Sequence, residues 1–156
     1  MEQNTYGFIG LGLIGGSLAK ALKRTDPSCR ILAYTRTARH SRKPEGTGCR
    51  RSLFFRGLTR SLPHAAAFLC APVATNISAL RVLKDIVSPD CILTDVGSVK
   101  TDIHLAASEM GLDGRFIGGH PMTGSEKSGF AHAQAHLFEN AYYIITPSKD
   151  TVQEKI

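Results

Sequence analysis

A doubly wound α/β protein with a mostly parallel sheet is the expected architecture, and three features of the chain support it. Short apolar runs alternate with stretches of helical periodicity. The runs are continuous rather than alternately polar, as strands covered on both faces require. A glycine-rich turn joins the first run to the first helical stretch. With 156 residues, one domain is expected, large enough to bury roughly 70% of its unfolded surface.

The elements follow in order. Residues 6–9 form a first buried strand. After the glycines, Ile14, Leu18, Ala21 and Leu22 recur on one helical face. Residues 30–34, "RILAY", read as a second strand, and "AAFLCAP" (66–72) as another. "TNISALRVLKDIV" places Ile77, Leu80, Leu83 and Val87 on one side of a helix. "CILTDVG" is a strand. In "SVKTDIHLAASEMG", Val99, Ile103, Ala106 and Met110 share a helical face, and Gly111 suits its stop. "RFIGGHP" is a short strand or turn, "AHAQAHLF" a helix, and "AYYIITP" a last strand ended by Pro147.

Composition is that of a globular chain, 42% hydrophobic and 21% charged. The start lacks a signal-peptide core, and the longest apolar runs are strand-sized, so no membrane span is expected. Cys29, Cys49, Cys70 and Cys91 show no C-x-x-C pair, which fits neither a zinc pattern nor a disulfide framework. Free thiols, no metal and a cytoplasmic location are expected. The net charge of +6 is concentrated: residues 36–60 hold eight Lys/Arg and one acid, while the remainder is −1.

Gly10, Gly12 and Gly15 in "GLGLIG" match G-x-G-x-x-G between a strand and a helix. That context points to a Rossmann-type dinucleotide site. The first glycine permits the turn, the second lets backbone approach a pyrophosphate, and the third lets helix pack on strand. The amides of Leu13, Ile14 and Gly15 at the helix start would face the anion. An NAD site expects an acid at the end of the second strand. Here "YTRT" offers Thr35, Arg36 and Thr37 instead, a set that could hold a 2′-phosphate, which favours NADP over NAD. Arg36 as an ordinary solvated residue is the alternative.

In "FIGGHPMTGSEKSG" (116–129), four of fourteen residues are glycine, costly in chain entropy unless backbone must approach something. His120, between Gly119 and Pro121, combines a fixed backbone with a titratable ring and suits a general base. His40, His64, His104, His132 and His136 read as ordinary histidines. "DVGSVKTD" (95–102) starts a helix at the carboxyl edge of the sheet, where such folds bind ligands. Ser98 could cap that helix, or donate to His120 or a ligand.

Taken in order, "GFIGLGLIGGSLAKALK", "FLCAPVATN", "DVGSVKTDI" and "IGGHPMTGSEKSG" resemble the prephenate dehydrogenases of tyrosine biosynthesis; arogenate dehydrogenases look similar. The likeness covers residues 6–36 and 67–147. It implies oxidative decarboxylation of prephenate to 4-hydroxyphenylpyruvate, with hydride passing to NAD(P)+. It implies His120 as the base, Ser98 as its orienting partner near substrate or nicotinamide ribose, and Ser125 near the substrate. Cys70, Ala71 and Pro72 would border the cofactor. Lys100, Glu126 and Lys127 are expected only in surface pairs. The resemblance further implies that 1–147 is the NAD(P)-binding domain and 148–156 the start of a linker to a helical dimerisation domain missing here. That absence would expose a helical, apolar docking surface and favour self-association.

Residues 38–65 break both helical and strand periods where the family has a helix and a strand. Codons shifted by one nucleotide permit a helix-like string over 39–51, so an out-of-frame segment is the expectation. A nucleic-acid arm is the competing reading, but aromatics are few (Phe54, Phe55) and no recognition motif accompanies the arginines; no nucleic-acid partner is expected. A remnant that at most binds cofactor is a third reading.

Overall fold

The computed structural model describes residues 4–34, 50–51 and 66–151, with backbone alone at 50 and 51. Thr35, Arg36, Thr37 and all of 38–65 except that dipeptide lie outside the described residues. Seven strands form one sheet in the order β3-β2-β1-β4-β5-β6-β7. They are β1 (Thr5–Ile9), β2 (Arg30–Tyr34), β3 (Arg50–Arg51), β4 (Ala66–Leu69), β5 (Ile92–Asp95), β6 (Phe116–Pro121) and β7 (Tyr143–Pro147). Neighbours pair in parallel from β3 across to β6, and β7 joins β6 antiparallel, with His120 opposite Ile144. The expected doubly wound, mostly parallel α/β fold is therefore present.

Helix α1 (Leu13–Thr25) covers one face, and α2 (Val73–Ile86) and α3 (Thr101–Glu109) cover the other. The sense of winding reverses between β1 and β4, which opens a crevice at their carboxyl ends. On the α2/α3 side, Leu80, Leu83, Leu93, Ile103 and Phe116 are fully buried, each worth roughly 1.5–3 kcal/mol of transfer free energy. Gly111, at φ +68°, ends α3 as expected.

Helix α1 forms as expected, with half-buried Leu18 and Leu22 packed against the core that holds Phe8 and Ile31, while its most buried residues are Gly15, Gly16, Ser17 and Ala19. A Cβ on Gly16 would lie 2.7 Å from the Phe130 ring, so only small side chains fit where this helix packs. Two other local expectations are corrected. Residues 131–138 are not an α-helix but a 3-10 turn (Phe130–His132) followed by further turns. The cause is competition for backbone groups: Lys20 Nζ donates to Ala133 O at 2.7 Å, and Ser17 Oγ accepts from Gln134 N at 2.9 Å. Val99 precedes α3 and is 61% exposed rather than packed.

Among the described residues most exposed large apolar side chains gather on β7 and beside it, while Val82 on α2 and Leu105 on α3 are exposed on the helices. Tyr142, Tyr143, Ile144, Ile145 and Met122 all face solvent. Among the described residues no helix is long and apolar enough to cross a membrane, and no cluster of metal-ligating side chains forms. Cys29, Cys70 and Cys91 are unpaired thiols.

Candidate nucleotide site

The glycine turn sits at the reversal point of the sheet. Gly10 has φ +92°, and a Cβ there would meet Cys70 O at 3.0 Å and Ala71 N at 3.2 Å. The β1–α1 turn and the β4–α2 turn thus press together through a residue without a side chain. A Cβ on Gly15 would lie 2.5 Å from Gly10 O and 2.9 Å from Cys70 Cβ. Gly12 is the opposite case: no atom of a described residue lies within 4 Å of the place its Cβ would take.

Helix α1 begins without a side-chain cap and without an acid in its first turn. The first amide to find an acceptor in this helix is that of Gly16, bonded to Gly12 O at 3.0 Å. The amides of Leu13, Ile14 and Gly15 are thereby left to the space beside Gly12. The partial positive charge of the helix end adds to them. Among the described residues, open space, unclaimed amides and no competing carboxylate in the first turn fit a pyrophosphate.

The second wall is the turn after β4. Asn76 is 1% exposed; its Oδ1 accepts from Ala71 N and its Nδ2 donates to Leu69 O, both at 3.1 Å. Ala71 N–H is therefore committed to the protein, and any contact to a ligand at residues 70–72 comes from other atoms. Pro72 is the N-cap residue of α2. Burial, and secondarily the charge of Asp95, pushes the Cys70 thiol far above its ordinary range, so Cys70 packs as a neutral group against Gly15. Asn76→Ala is expected to lower stability by about 1–3 kcal/mol, because a buried N–H and C=O lose their partners. Urea denaturation checks this, and an unchanged midpoint would contradict the pinning role.

The carboxyl ends of β5 and β6 form the third side. Gly118 and His120 share the α3 face of β6. His120 is half-buried, and its ring makes no hydrogen bond to any described residue. Ser98 lies exposed in the β5–α3 turn, at the same sheet edge but not bonded to His120. Nor does it cap α3, whose N-cap residue is Lys100, without a side-chain cap bond. Ser125 is exposed in the loop after β6, where its Oγ accepts from Lys127 N at 3.2 Å. His104 is a structural histidine, bonded to Thr146 Oγ1 at 3.1 Å and edge-on to Phe116.

Asp95, Asn76 and Tyr143 had not been singled out from the sequence. Asp95 ends β5 with a carboxylate that is 0% exposed. Its Oδ2 pairs with Lys100 Nζ and accepts from Gly97 N at 3.0 Å, and its Oδ1 accepts from Gly119 N at 3.3 Å. Lys100 is thus held in a buried ion pair, not the surface pair expected. Tyr143 reaches over Gly119, whose Cβ would lie 2.8 Å from the phenol oxygen. Burial first, then the charges of Cys70 and Asp95, pushes that phenol up to about 12, which keeps its proton in place. The signal for Asp95 was present: an acid closing an apolar strand run needs buried partners.

Comparison with known proteins agrees with this geometry. Residues 18–156 match the family described as prephenate dehydrogenase, nucleotide-binding domain. The prephenate dehydrogenase of Bacillus subtilis is 35% identical over 99% of this chain, and that of Lactococcus lactis is 35% identical over 94%. The chain spans 42% of the length of each. Among solved structures, Aquifex aeolicus prephenate dehydrogenase in complex with hydroxyphenyl propionate and NAD+ superposes with TM-score 0.87 at 30% identity, covering 99% of this chain and 54% of that one. Synechocystis arogenate dehydrogenase superposes with TM-score 0.83 at 33% identity, covering 97% and 52%. With its match reaching from residue 18 within α1 to residue 156, the chain belongs to the prephenate dehydrogenase nucleotide-binding domain family.

Proposed function

We propose that this domain binds a nicotinamide dinucleotide and serves the oxidative decarboxylation of prephenate to 4-hydroxyphenylpyruvate. The observation that carries the reading is the uncapped start of α1 beside the open space at Gly12. Leu13, Ile14 and Gly15 would offer amides to the pyrophosphate, with Gly10 shaping the turn and Cys70, Ala71 and Pro72 lining its far wall. When bound, the nicotinamide supplies a hydride acceptor. His120, whose ring makes no hydrogen bond to a described residue, draws the proton from the substrate hydroxyl as hydride leaves. Ser98 orients the imidazole or the substrate from the neighbouring turn, and Ser125 lies on the substrate side.

NADP is favoured over NAD on the strength of Thr35, Arg36 and Thr37. The NAD+ in the Aquifex aeolicus enzyme keeps NAD as the other choice. Arogenate is the second substrate reading, supported by the likeness to the Synechocystis enzyme. A cytoplasmic site of action and assembly as a homodimer through a further domain belong to the same reading.

Fluorescence titration of the 156-residue chain with NADPH and, separately, NADH tests it. Saturable binding of either, tighter for NADPH, is the expected result. No binding of either would overturn the proposed function, and tighter NADH would overturn the role given to Arg36.

A further inference from the structure

Asp95 is the one fully buried carboxylate among the described residues, and the chemistry above leaves it without a part. Its three contacts reach three separate pieces of the sheet edge. Gly97 N–H belongs to the turn that carries Ser98, Lys100 is the N-cap residue of α3, and Gly119 N–H immediately precedes His120. The Lys100 side chain lies along Gly118, on the face of β6 that also carries His120: a Cβ on Gly118 would lie 3.2 Å from Lys100 Cδ.

We propose that Asp95 is a positioning residue for His120. One carboxylate ties the Ser98 turn and the His120 backbone into a single register, and its charge offsets that of Lys100, whose side chain runs along the face of β6 that carries His120. The proposal rests on the reading of His120 as the base. Among the described residues the groups facing this region are Asp95 from β5, Lys100 and His104 from α3, Tyr143 from β7 on the opposite face of the sheet, and Cys70 after β4, whose thiol is kept protonated by burial. His104 is engaged by Thr146, and Tyr143 keeps its proton through ordinary pH. The Asp95–Lys100 pair is therefore the local charge that a substitution can unbalance. A buried pair missing one member leaves the other charge uncompensated.

The test is NMR titration of the histidine rings in the full chain, with His120 assigned through His120→Gln. It needs neither substrate nor dinucleotide, so a failed cofactor titration would overturn the functional reading and leave this one open to its own measurement. Asp95→Asn leaves Lys100 uncompensated and is expected to lower the His120 midpoint by about half a unit or more, since a nearby like charge disfavours the imidazolium. The double variant Asp95→Asn with Lys100→Gln removes both charges and is expected to return the midpoint to the parent value. His132 and His136 are the controls and should not move. A His120 midpoint that shifts no more than theirs overturns the proposal, as does a shift that the double variant fails to reverse. Should Asp95→Asn not fold, Lys100→Gln alone decides: it leaves the carboxylate uncompensated and should raise the His120 midpoint, and an unmoved midpoint overturns the proposal equally.

Discussion

His120→Asn is expected to cut prephenate-dependent formation of reduced nicotinamide by ~10²–10⁴-fold, the range a general base contributes, with dinucleotide affinity unchanged. The two halves of the prediction come from different parts of the structure. His120 stands at the carboxyl end of β6, opposite Ile144, while the proposed anion cradle lies at the start of α1. The ring gives up no hydrogen bond to a described residue when it is replaced, so little stability should be lost. Steady-state assays paired with dinucleotide titration separate the outcomes. A variant that retains parental turnover would sink the assignment of the base, and a variant that also fails to bind dinucleotide would assign His120 a structural part. A parent chain that binds dinucleotide but does not turn over would favour the binding-only remnant.

The parts of this molecule that sequence made legible are those governed by local pattern. Buried parallel strands must be apolar throughout, so "RILAY" announced β2 with its bounds intact. The glycine spacing likewise located the turn, because no other residue fits against Cys70 and Gly10 at such distances. Periodicity failed where a partner came too close. In α1 Leu18 and Leu22 do pack on the core, but the most buried positions are Gly15, Gly16, Ser17 and Ala19, which carry little hydropathy and so escaped the pattern. In "AHAQAHLF" the helical pattern was overridden by Lys20 and Ser17, which claim the backbone groups a helix would have used.

The candidate site was legible in its backbone features and only partly in its polar network. Glycines and a histidine in fixed context are signals a single segment can carry. Asp95 acquires meaning only when β5, the following turn and β6 are brought together, since its partners come from residues 97, 100 and 119. The same holds for Asn76, which reads as an ordinary helix-start residue until Leu69 O and Ala71 N are seen on either side of it. Tyr143 seemed no more than a strand aromatic, yet Gly119 is small enough to admit its ring.

Gly12 and Gly15 stand three residues apart in one turn, and substituting each by alanine is expected to fail in a different way. Gly12→Ala should keep the fold, because its Cβ enters space free of atoms of the described residues and its φ of −84° is open to alanine. Glycine outranks alanine as an N-cap, so the substitution costs roughly 1 kcal/mol or less of stability. Dinucleotide binding should nonetheless weaken by roughly 100-fold, since the new methyl stands where backbone and pyrophosphate must meet. Gly15→Ala should instead destabilise the protein by about 3 kcal/mol, as expected for overpacking against rigid neighbours. Here the methyl meets Gly10 O and Cys70 Cβ, backbone and near-backbone atoms that cannot swing aside. Chemical denaturation and fluorescence titration of both variants give four numbers, and the argument requires them to cross. If Gly12→Ala bound like the parent, the space beside it would not be the pyrophosphate cradle. If Gly15→Ala were as stable as the parent, the close packing of α1 on the β4 turn would not contribute to the fold as its distances imply.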